Sequence, residues 1–274
     1  MRPTLSPYRE GDLLAYRLAP EQYGRMLKDR RLVTRVFLSA SLLAGAASSA
    51  TVARDVDAPP VVVELFTSQG CSSCPPADSF LGELAQRPDV LALAFHVDYW
   101  NYIGWADPFA SKLATQRQRD YSQRLALRYV YTPQMVINGM TEGVGAEPGT
   151  INPLIKAAAS DGAPRAITAL SRASDGHLAV HIDAGTAPEP ASVWLVGFDR
   201  EHTTRVLHGE NEGRTLKDYQ IVRSFQEVGT WTGSALDLEV AGNAVAGDGS
   251  VAVLVQLRGT GRIIGAATLK PPTS

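Results

Sequence analysis

The sequence is poor in cysteine. It has two cysteines among 274 residues, Cys71 and Cys74. A disulfide framework uses more cysteines and joins distant segments, and a tetrahedral zinc site made of cysteine alone needs four, so this pair fits neither. A bond between residues so close in sequence stabilises little through loop closure. The scarcity of cysteine therefore favours a chemical role for the pair over a purely structural one.

The chain also lacks a long apolar run outside its N-terminal segment. We therefore expect no bilayer-spanning segment in the body of the protein. Charged residues make up 20% and hydrophobic residues 45%, which is typical of a globular protein. With 274 residues, the chain has room for two ordinary domains, each able to bury a core.

The N-terminal segment has the order of a secretory signal. Basic residues from Lys28 to Arg35 precede a short apolar stretch over 36–47, which ends in Ser48-Ser49-Ala50. We interpret 26–50 as a signal peptide and 1–25 as a misannotated leader, so that translation would start at Met26. We therefore expect an exported, periplasmic protein with no stable membrane span after cleavage of the signal.

Loss of residues 1–50 would leave an acidic chain. That segment holds eight basic and four acidic side chains, so 18 Lys and Arg would remain against 24 Asp and Glu. A surface with this charge balance disfavours a nucleic-acid partner.

Residues 58–160 show the alternation expected of an α/β domain. The run at 61–66 is apolar and rich in β-branched residues, as in a central strand buried on both faces. Asn138-Gly139 is the strongest short hairpin signal in the chain. The pattern predicts strands at 61–66, 90–97, 134–137 and 140–144, and helices at 77–86, 109–127 and 152–160. This β-α-β-α-β-β-α order is the core order of a thioredoxin-like domain.

The pattern changes at about residue 165. Seven short β-rich runs follow, separated by Gly, Asp, Asn and Thr. They predict an antiparallel β-sandwich-like domain over 165–270, with a domain boundary near 160–164.

The cysteine pair falls on the predicted strand-to-helix turn. Unpaired N–H groups at a helix N-terminus favour a thiolate, and a second cysteine three residues later can resolve a mixed disulfide. Cys71 would be the nucleophile and Cys74 the resolving thiol. Thr132-Pro133 stands just before the hairpin strand, where this topology brings a loop against the cysteines, and it predicts a cis peptide bond there.

Three segments carry a resemblance to a known family: FTSQGCSSCPPAD at 66–78, HVDYWN at 96–101 and YTPQMVING at 131–139. Two later segments, 209–213 and 222–225, extend it, so that it covers roughly 60–270. The chain resembles secreted bacterial proteins catalogued as domain of unknown function 1223, for which the resemblance implies a thioredoxin-like fold and redox chemistry. Wider thioredoxin relatives usually have an aromatic residue where this chain has Gly70, so the surface beside the thiols should differ in shape.

The candidate site residues follow from these positions. Cys71, Cys74 and Pro133 are the candidate catalytic residues, with Thr132, Trp100 and Tyr99 as candidates for substrate binding. His96 and Asp98 follow the second strand and could relay a proton to Cys74. An equally simple interpretation is a strand-end histidine bonded to backbone. The aromatic residues of 99–105 could form a wall over the thiols, or they could pack a long loop or the interface with the second domain.

Two further groups of residues have less specific interpretations. The basic residues of the third element, Lys112, Arg117, Arg119, Arg124 and Arg128, are typical of a solvated helix face. The charged run at 210–214 could form an interdomain contact.

Three functions remain open from the sequence. The first is a thiol-disulfide oxidoreductase that acts on a thiol or disulfide of a protein or small molecule, without a cofactor. The second is a module that binds or delivers a soft metal such as Cu(I) through the two thiolates and His96; the sequence offers no further metal ligand at a diagnostic spacing. The third is a scaffold whose β-rich region binds partners.

Overall fold

The computed structural model describes residues 59–269. Three α-helices are present in this range: α1 (Pro75–Leu84), α2 (Lys112–Arg124) and α3 (Pro148–Ala159). The strands are β1 (Val61–Thr67), β2 (Val90–His96), β3 (Gln134–Ile137), β4 (Thr141–Val144), β5 (Thr168–Arg172), β6 (Leu178–Ile182), β7 (Ala191–Arg205), β8 (Thr215–Trp231), β9 (Leu236–Val240), β10 (Ser250–Leu257) and β11 (Ile263–Leu269).

The first half of the described chain forms a mixed sheet that begins with a β-α-β unit. β1 and β2 are parallel, with Val61 opposite Val90 and Thr67 opposite His96. β3 is antiparallel to β1, and β4 returns beside β3. Asn138 adopts a positive φ in the connecting turn, and its Oδ1 accepts a hydrogen bond from the Val62 N–H at 2.8 Å. The hairpin expected from Asn-Gly is therefore confirmed.

Both faces of β1 are buried, as the apolar run indicates. Val61, Val63 and Leu65 pack with α1 and α3, whereas Val62 and Phe66 face the core that includes Tyr121 of α2. Successive side chains of a strand point to opposite faces, so α2 and the α1–α3 pair cover opposite sides of the sheet.

The helices differ from the expected bounds at their ends. α2 begins at Lys112 because Ser111 caps it, accepting from the Ala114 N–H at 3.1 Å. α3 begins at Pro148, so the expected start at residue 152 is wrong, and Pro153 lies inside the helix. Proline suits the first position of a helix, and the sequence offered two prolines for it.

The second half does not form a separate sandwich. β7 and β8 make a long hairpin, and β8 joins β2 in parallel at Ala94 and Ile221. One eight-stranded sheet results, in the order β11-β10-β7-β8-β2-β1-β3-β4. The expected boundary near 160–164 therefore does not separate two sheets. The end of β7 over 200–205 is polar and mostly exposed, and β8 mixes exposed polar residues with buried ones outside its apolar centre, which is why the sequence indicates only their shorter apolar centres.

A small antiparallel sheet accompanies the large one, in the order β5-β6-β9. Val180 and Ile182 of this sheet share a core with Val193 of β7 and Val253 of β10. The β-rich half is thus antiparallel and layered, as expected, but its main layer continues the sheet of the first half.

Candidate functional site: a buried disulfide next to an acidic cluster

Cys71 and Cys74 form a disulfide at the turn between β1 and α1. Their Cα atoms are 5.5 Å apart, and the Cys74 N–H donates to the Cys71 carbonyl at 3.2 Å. Cys74 is the N-cap of α1, and Pro75 and Pro76 occupy the first helical positions, where no intrahelical N–H is needed. The two prolines therefore fix where the helix begins relative to the disulfide.

The loop before β3 lies against the first sulfur. The Thr132–Pro133 peptide bond is cis, as expected, and the Thr132 carbonyl oxygen is 3.9 Å from Cys71 Sγ. The Ser73 hydroxyl is 3.3 Å from the same sulfur. Trp100 Nε1 donates to Thr132 Oγ1 at 2.8 Å and so ties this loop to the segment after β2. The structure thus brings Cys71, Thr132, Pro133 and Trp100 together.

The aromatic residues after β2 have separate roles rather than one common wall. The Tyr99 hydroxyl donates to Gln118 Oε1 at 3.0 Å, and burial raises the pKa of Tyr99 to about 12. Trp105 Nε1 donates to Gln69 Oε1 at 3.0 Å, whereas the side chain of Tyr102 is exposed. Trp100 packs beside the position before the first cysteine: a Cβ added to Gly70 would lie 3.1 Å from Trp100 Cβ. Glycine at this position makes room for the tryptophan.

Residues 206–214, which connect β7 to β8 and which we call the strap, lie against the turn that carries the buried disulfide. Cys71 is 1% exposed and Cys74 is 0% exposed. Asn211 Nδ2 donates to the carbonyls of Gln69 and Cys71 at 2.9 and 3.0 Å, and the Ser72 N–H donates to Glu210 Oε2 at 3.0 Å. The charged run at 210–214 therefore contacts the first half of the chain, as the sequence suggested.

Four ionisable side chains, Asp78, His96, Asp107 and Asp218, form a buried group next to the cysteine turn, which we call the acidic cluster. His96 Nδ1 is 2.8 Å from Asp107 Oδ2. Thr67 donates to Asp78 at 2.8 Å and Gln69 Nε2 donates to Asp218 at 2.7 Å. The Gln69 N–H donates to Asp107, also at 2.8 Å. Residues that precede Cys71 thereby link the disulfide turn to three of the four charges.

Burial and the mutual charges of the acidic cluster shift the pKa values of its members. Burial raises the pKa of Asp78 to about 7, and the negative charge of Asp218 adds to the rise. Burial alone would lower the pKa of His96, but the charge and hydrogen bond of Asp107, followed by the charges of Asp218 and Asp78, raise it to about 9. Burial raises the pKa of Asp218 as well. The cluster therefore holds an imidazolium and a carboxyl that titrates near neutral pH.

The pairing proposed for His96 and Asp98 differs from the observed one. His96 bonds to Asp107 rather than to Asp98 or backbone, and Asp98 Oδ1 accepts from the Thr115 hydroxyl at 2.6 Å. Of the missed members, Asp78 had a local signal, since it lies one helical turn after Cys74. Asp218 had none, because it is 149 residues from its partner Gln69.

Arg117 is not on a solvated face, so the expectation for the basic helix is wrong at this residue. Its side chain is 8% exposed and forms an ion pair of 2.5 Å with Glu64, which is fully buried in β1. Arg117 Nη2 donates to the Tyr121 hydroxyl at 2.9 Å, and Gln256 Nε2 donates to the same oxygen at 3.0 Å. Glu64, Arg117, Tyr121 and Gln256 make up what we call the arginine cluster.

The described residues contain neither a cluster of metal ligands nor a membrane-spanning helix. No group of three His, Cys, Asp or Glu side chains within 59–269 is arranged to hold a metal ion. In the same range, no helix is long and apolar enough to cross a membrane.

Comparison with known proteins gives a family and two similar structures. Protein AGR_C_4864 from Agrobacterium tumefaciens is 37% identical, with a TM-score of 0.71 over 80% of this chain and 97% of that one. HBP35 of Porphyromonas gingivalis is 14% identical, with a TM-score of 0.54 over 79% of this chain and 78% of that one, and the likeness is one of fold. No curated protein matches. A family model described as "Protein of unknown function (DUF1223)" matches residues 62–256, so this chain belongs to that family, as the resemblance implied.

Proposed function

We propose that this protein is a thiol-disulfide oxidoreductase with a thioredoxin-like first half, and that Cys71 and Cys74 are its redox-active pair. The observation that carries the proposal is the site of the disulfide: it lies at the N-terminus of α1, and the carbonyl of Thr132, which precedes Pro133, is 3.9 Å from Cys71 Sγ. A helix N-terminus stabilises a thiolate there. The β-α-β unit followed by the β3–β4 hairpin supports the finer fold assignment.

The proposed reaction is thiol-disulfide exchange through Cys71. A substrate thiolate attacks Cys71 Sγ, a sulfur–sulfur bond forms between them, and the bond to Cys74 breaks. The electron pair of the broken bond stays on Cys74 Sγ, which then takes up a proton. A second substrate thiolate attacks the substrate sulfur of the mixed disulfide, so that the substrate leaves oxidised and Cys71 leaves as a thiolate. The reverse sequence oxidises the protein and reduces the substrate.

Asp78 is the proposed proton donor and acceptor for this exchange. It lies one turn after Cys74 on α1, and its N–H donates to the Cys74 carbonyl at 3.1 Å. A carboxyl whose pKa is about 7 can release and recover a proton near neutral pH. In this proposal His96 does not relay a proton to Cys74 directly. It acts through its charge, which opposes the rise in the pKa of Asp78.

Thr132, Trp100 and Tyr99 are proposed to position the substrate. Trp100 holds the Thr132 side chain, and Tyr99 holds Gln118, which in turn donates to the Tyr131 carbonyl at 2.7 Å. Both contacts fix the loop that carries Pro133. We further propose export to the periplasm, on the signal expected at 26–50, which lies outside the described residues.

The proposal is tested by thiol trapping at defined redox potential. The protein is equilibrated in dithiothreitol or glutathione buffers, quenched with acid and alkylated with a maleimide-linked polymer, so that each free thiol adds mass. We expect the pair to interconvert between disulfide and dithiol, Cys71→Ser to abolish disulfide transfer, and Cys74→Ser to accumulate a mixed disulfide. Ser79→Ala, an exposed position on α1, is the matched control. A pair that stays oxidised in the folded protein well below about −300 mV would be structural and would refute the proposal.

A further inference from the structure

The burial of the disulfide raises the question of how a substrate thiolate can reach it. A thiolate must reach the sulfur it attacks from the side opposite the bond that breaks, and neither sulfur offers such access while Cys71 is 1% exposed and Cys74 is 0% exposed. Part of the structure around the disulfide must therefore move before thiol-disulfide exchange can occur.

The strap holds the backbone that flanks Cys71. Asn211, itself 1% exposed, places an N–H donor on the carbonyls of Gln69 and Cys71. Glu210 places an acceptor on the Ser72 N–H, and Arg214 Nη1 fixes the Asn211 amide by donating to its Oδ1 at 2.7 Å. One amide donor and one carboxylate acceptor thus satisfy two carbonyls and one N–H next to the first cysteine.

Backbone donors and acceptors of this kind are what an extended polypeptide supplies. Its N–H groups can replace the Asn211 amide, and its carbonyl groups can replace the Glu210 carboxylate. We propose that the strap is a built-in competitor of a polypeptide substrate: it occupies the backbone groups that the segment around the substrate's cysteine would occupy. This inference rests on the proposed function and names the substrate class, which is a polypeptide thiol or disulfide.

A small thiol cannot replace the hydrogen bonds of the strap in this way. If it displaces the strap, the carbonyls of Gln69 and Cys71 lose their partner and gain none from the thiol, and unpaired buried polar groups are costly. The surroundings also suit a polypeptide. Two large apolar side chains are exposed on the strap and on the turn that it touches: Leu207 at 54% and Tyr102 at 83%. The strap and that turn are in contact, since a Cβ on Gly209 would lie 3.4 Å from the Ile103 carbonyl oxygen.

The experiment measures the rate constant for reduction of the Cys71–Cys74 disulfide in the full chain by two thiols of the same chemistry. One is N-acetylcysteine amide, and the other is an acetylated, amidated pentapeptide with a central cysteine. In the wild type we expect the pentapeptide to react about tenfold faster or more, because its backbone replaces the bonds of the strap. A pentapeptide that reacts no faster than the small thiol would overturn the assignment of a polypeptide substrate.

Strap variants test the cover itself. We expect Asn211→Ala to raise the rate with both thiols about tenfold or more, because the strap then leaves the cysteine turn more often. Glu210→Ala, at an exposed position, should raise the rate a few-fold for the same reason. Glu212→Ala, on the same strap and solvent-exposed, should leave both rates unchanged. Circular dichroism and the unfolding midpoint show whether each variant folds, and Glu210→Ala keeps the test valid if Asn211→Ala does not.

The outcomes separate the two proposals. If Asn211→Ala and Glu210→Ala are both reduced at the wild-type rate, the strap does not control access, although the redox function stands. If the folded wild type and every folded variant resist both thiols, the redox function fails and this inference fails with it.

Discussion

The arginine cluster and the acidic cluster are both buried against the same sheet, but they differ in how their charges are balanced. In the arginine cluster, the guanidinium of Arg117 is paired with Glu64 and lies over the ring of Phe225, with 4.3 Å between its central carbon and the ring centroid. In the acidic cluster, three carboxyl groups surround one imidazole, and His96 Nε2 is buried without a hydrogen-bond partner among the described residues. In the first arrangement burial alone would lower the pKa of Arg117, but the charge of Glu64 raises it and keeps the guanidinium protonated, whereas in the second the pKa of Asp78 is about 7.

This difference indicates which buried charges are structural. A paired and fully bonded charge contributes little net stability, yet removal of one partner is costly. A cluster in which three carboxyl groups face one imidazole instead moves the pKa of one member, Asp78, into the neutral range, which is typical of functional sites. The acidic cluster is the one linked to the disulfide turn, through Thr67 and Gln69. Three variants, each with a matched control, test this comparison.

Arg117→Met should destabilise the fold by about 3 to 5 kcal/mol, because it leaves the Glu64 carboxylate buried and uncompensated. The free energy of unfolding in urea measures the loss. Arg119→Met, exposed on the same helix, should stay within about 0.5 kcal/mol of the wild type. Adding Glu64→Gln to Arg117→Met should recover part of the loss. A loss below about 1 kcal/mol for Arg117→Met would show that the buried Glu64 carboxylate does not depend on Arg117.

Asp78→Asn should change how stability depends on pH. The pKa of Asp78 is raised from 3.8 to about 7, so its contribution is fully present below about pH 4 and is lost as the pH rises through about 7. The loss amounts to at most about 4 kcal/mol. We expect the wild type to lose stability between pH 4 and 8 and the variant to lose less, as measured by denaturation across that range.

Asp89→Asn is the control of opposite sign. The hydrogen bond from Arg87 holds the pKa of Asp89 below its ordinary value, so the contribution of Asp89 is lost as the pH falls rather than as it rises. The decline of the wild type above pH 4 should therefore persist in Asp89→Asn. Identical pH profiles for Asp78→Asn and the wild type would contradict a neutral-range titration of Asp78.

Asp107→Asn should lower the pKa of His96 from about 9 by at least about 1, which corresponds to about 1.4 kcal/mol. The reason is that Asp107 provides the strongest opposition to the effect of burial on His96. In the wild type, protonated His96 contributes stability that is fully present below about pH 6.5 and is lost as the pH rises through about 9. In the variant, this stability should be lost at lower pH. Titration of the imidazole by NMR measures the change.

The matched control for this change is Asp98→Asn. Asp98 bonds to Thr115 and not to His96, so the titration of His96 should be the same as in the wild type. A shift of equal size in both variants would mean that Asp107 has no special relation to the histidine.

Local patterns predict much of the first half of the molecule. β1, β2, β3 and the helix after Cys74 lie within a few residues of their expected bounds, because continuous apolar runs, helix-start prolines and the Asn138-Gly139 turn are short-range signals. The cis peptide bond at Thr132–Pro133 is also confirmed. The sequence predicted it because the dipeptide stands just before the hairpin strand in the element order. In the second half, the sequence indicates the strands but not the sheet that they join.

The local sequence is enough to place a cysteine pair between a strand and a helix, since both elements are encoded next to it. What surrounds the pair depends on the tertiary fold. Asp218 and Asn211 lie 149 and 140 residues from the groups they bind, and such contacts leave no local pattern. Burial likewise made Arg117 a core residue and Asp78 a titratable one, because the pKa and the partner of a charge depend on the surrounding dielectric and charges, which form only on folding.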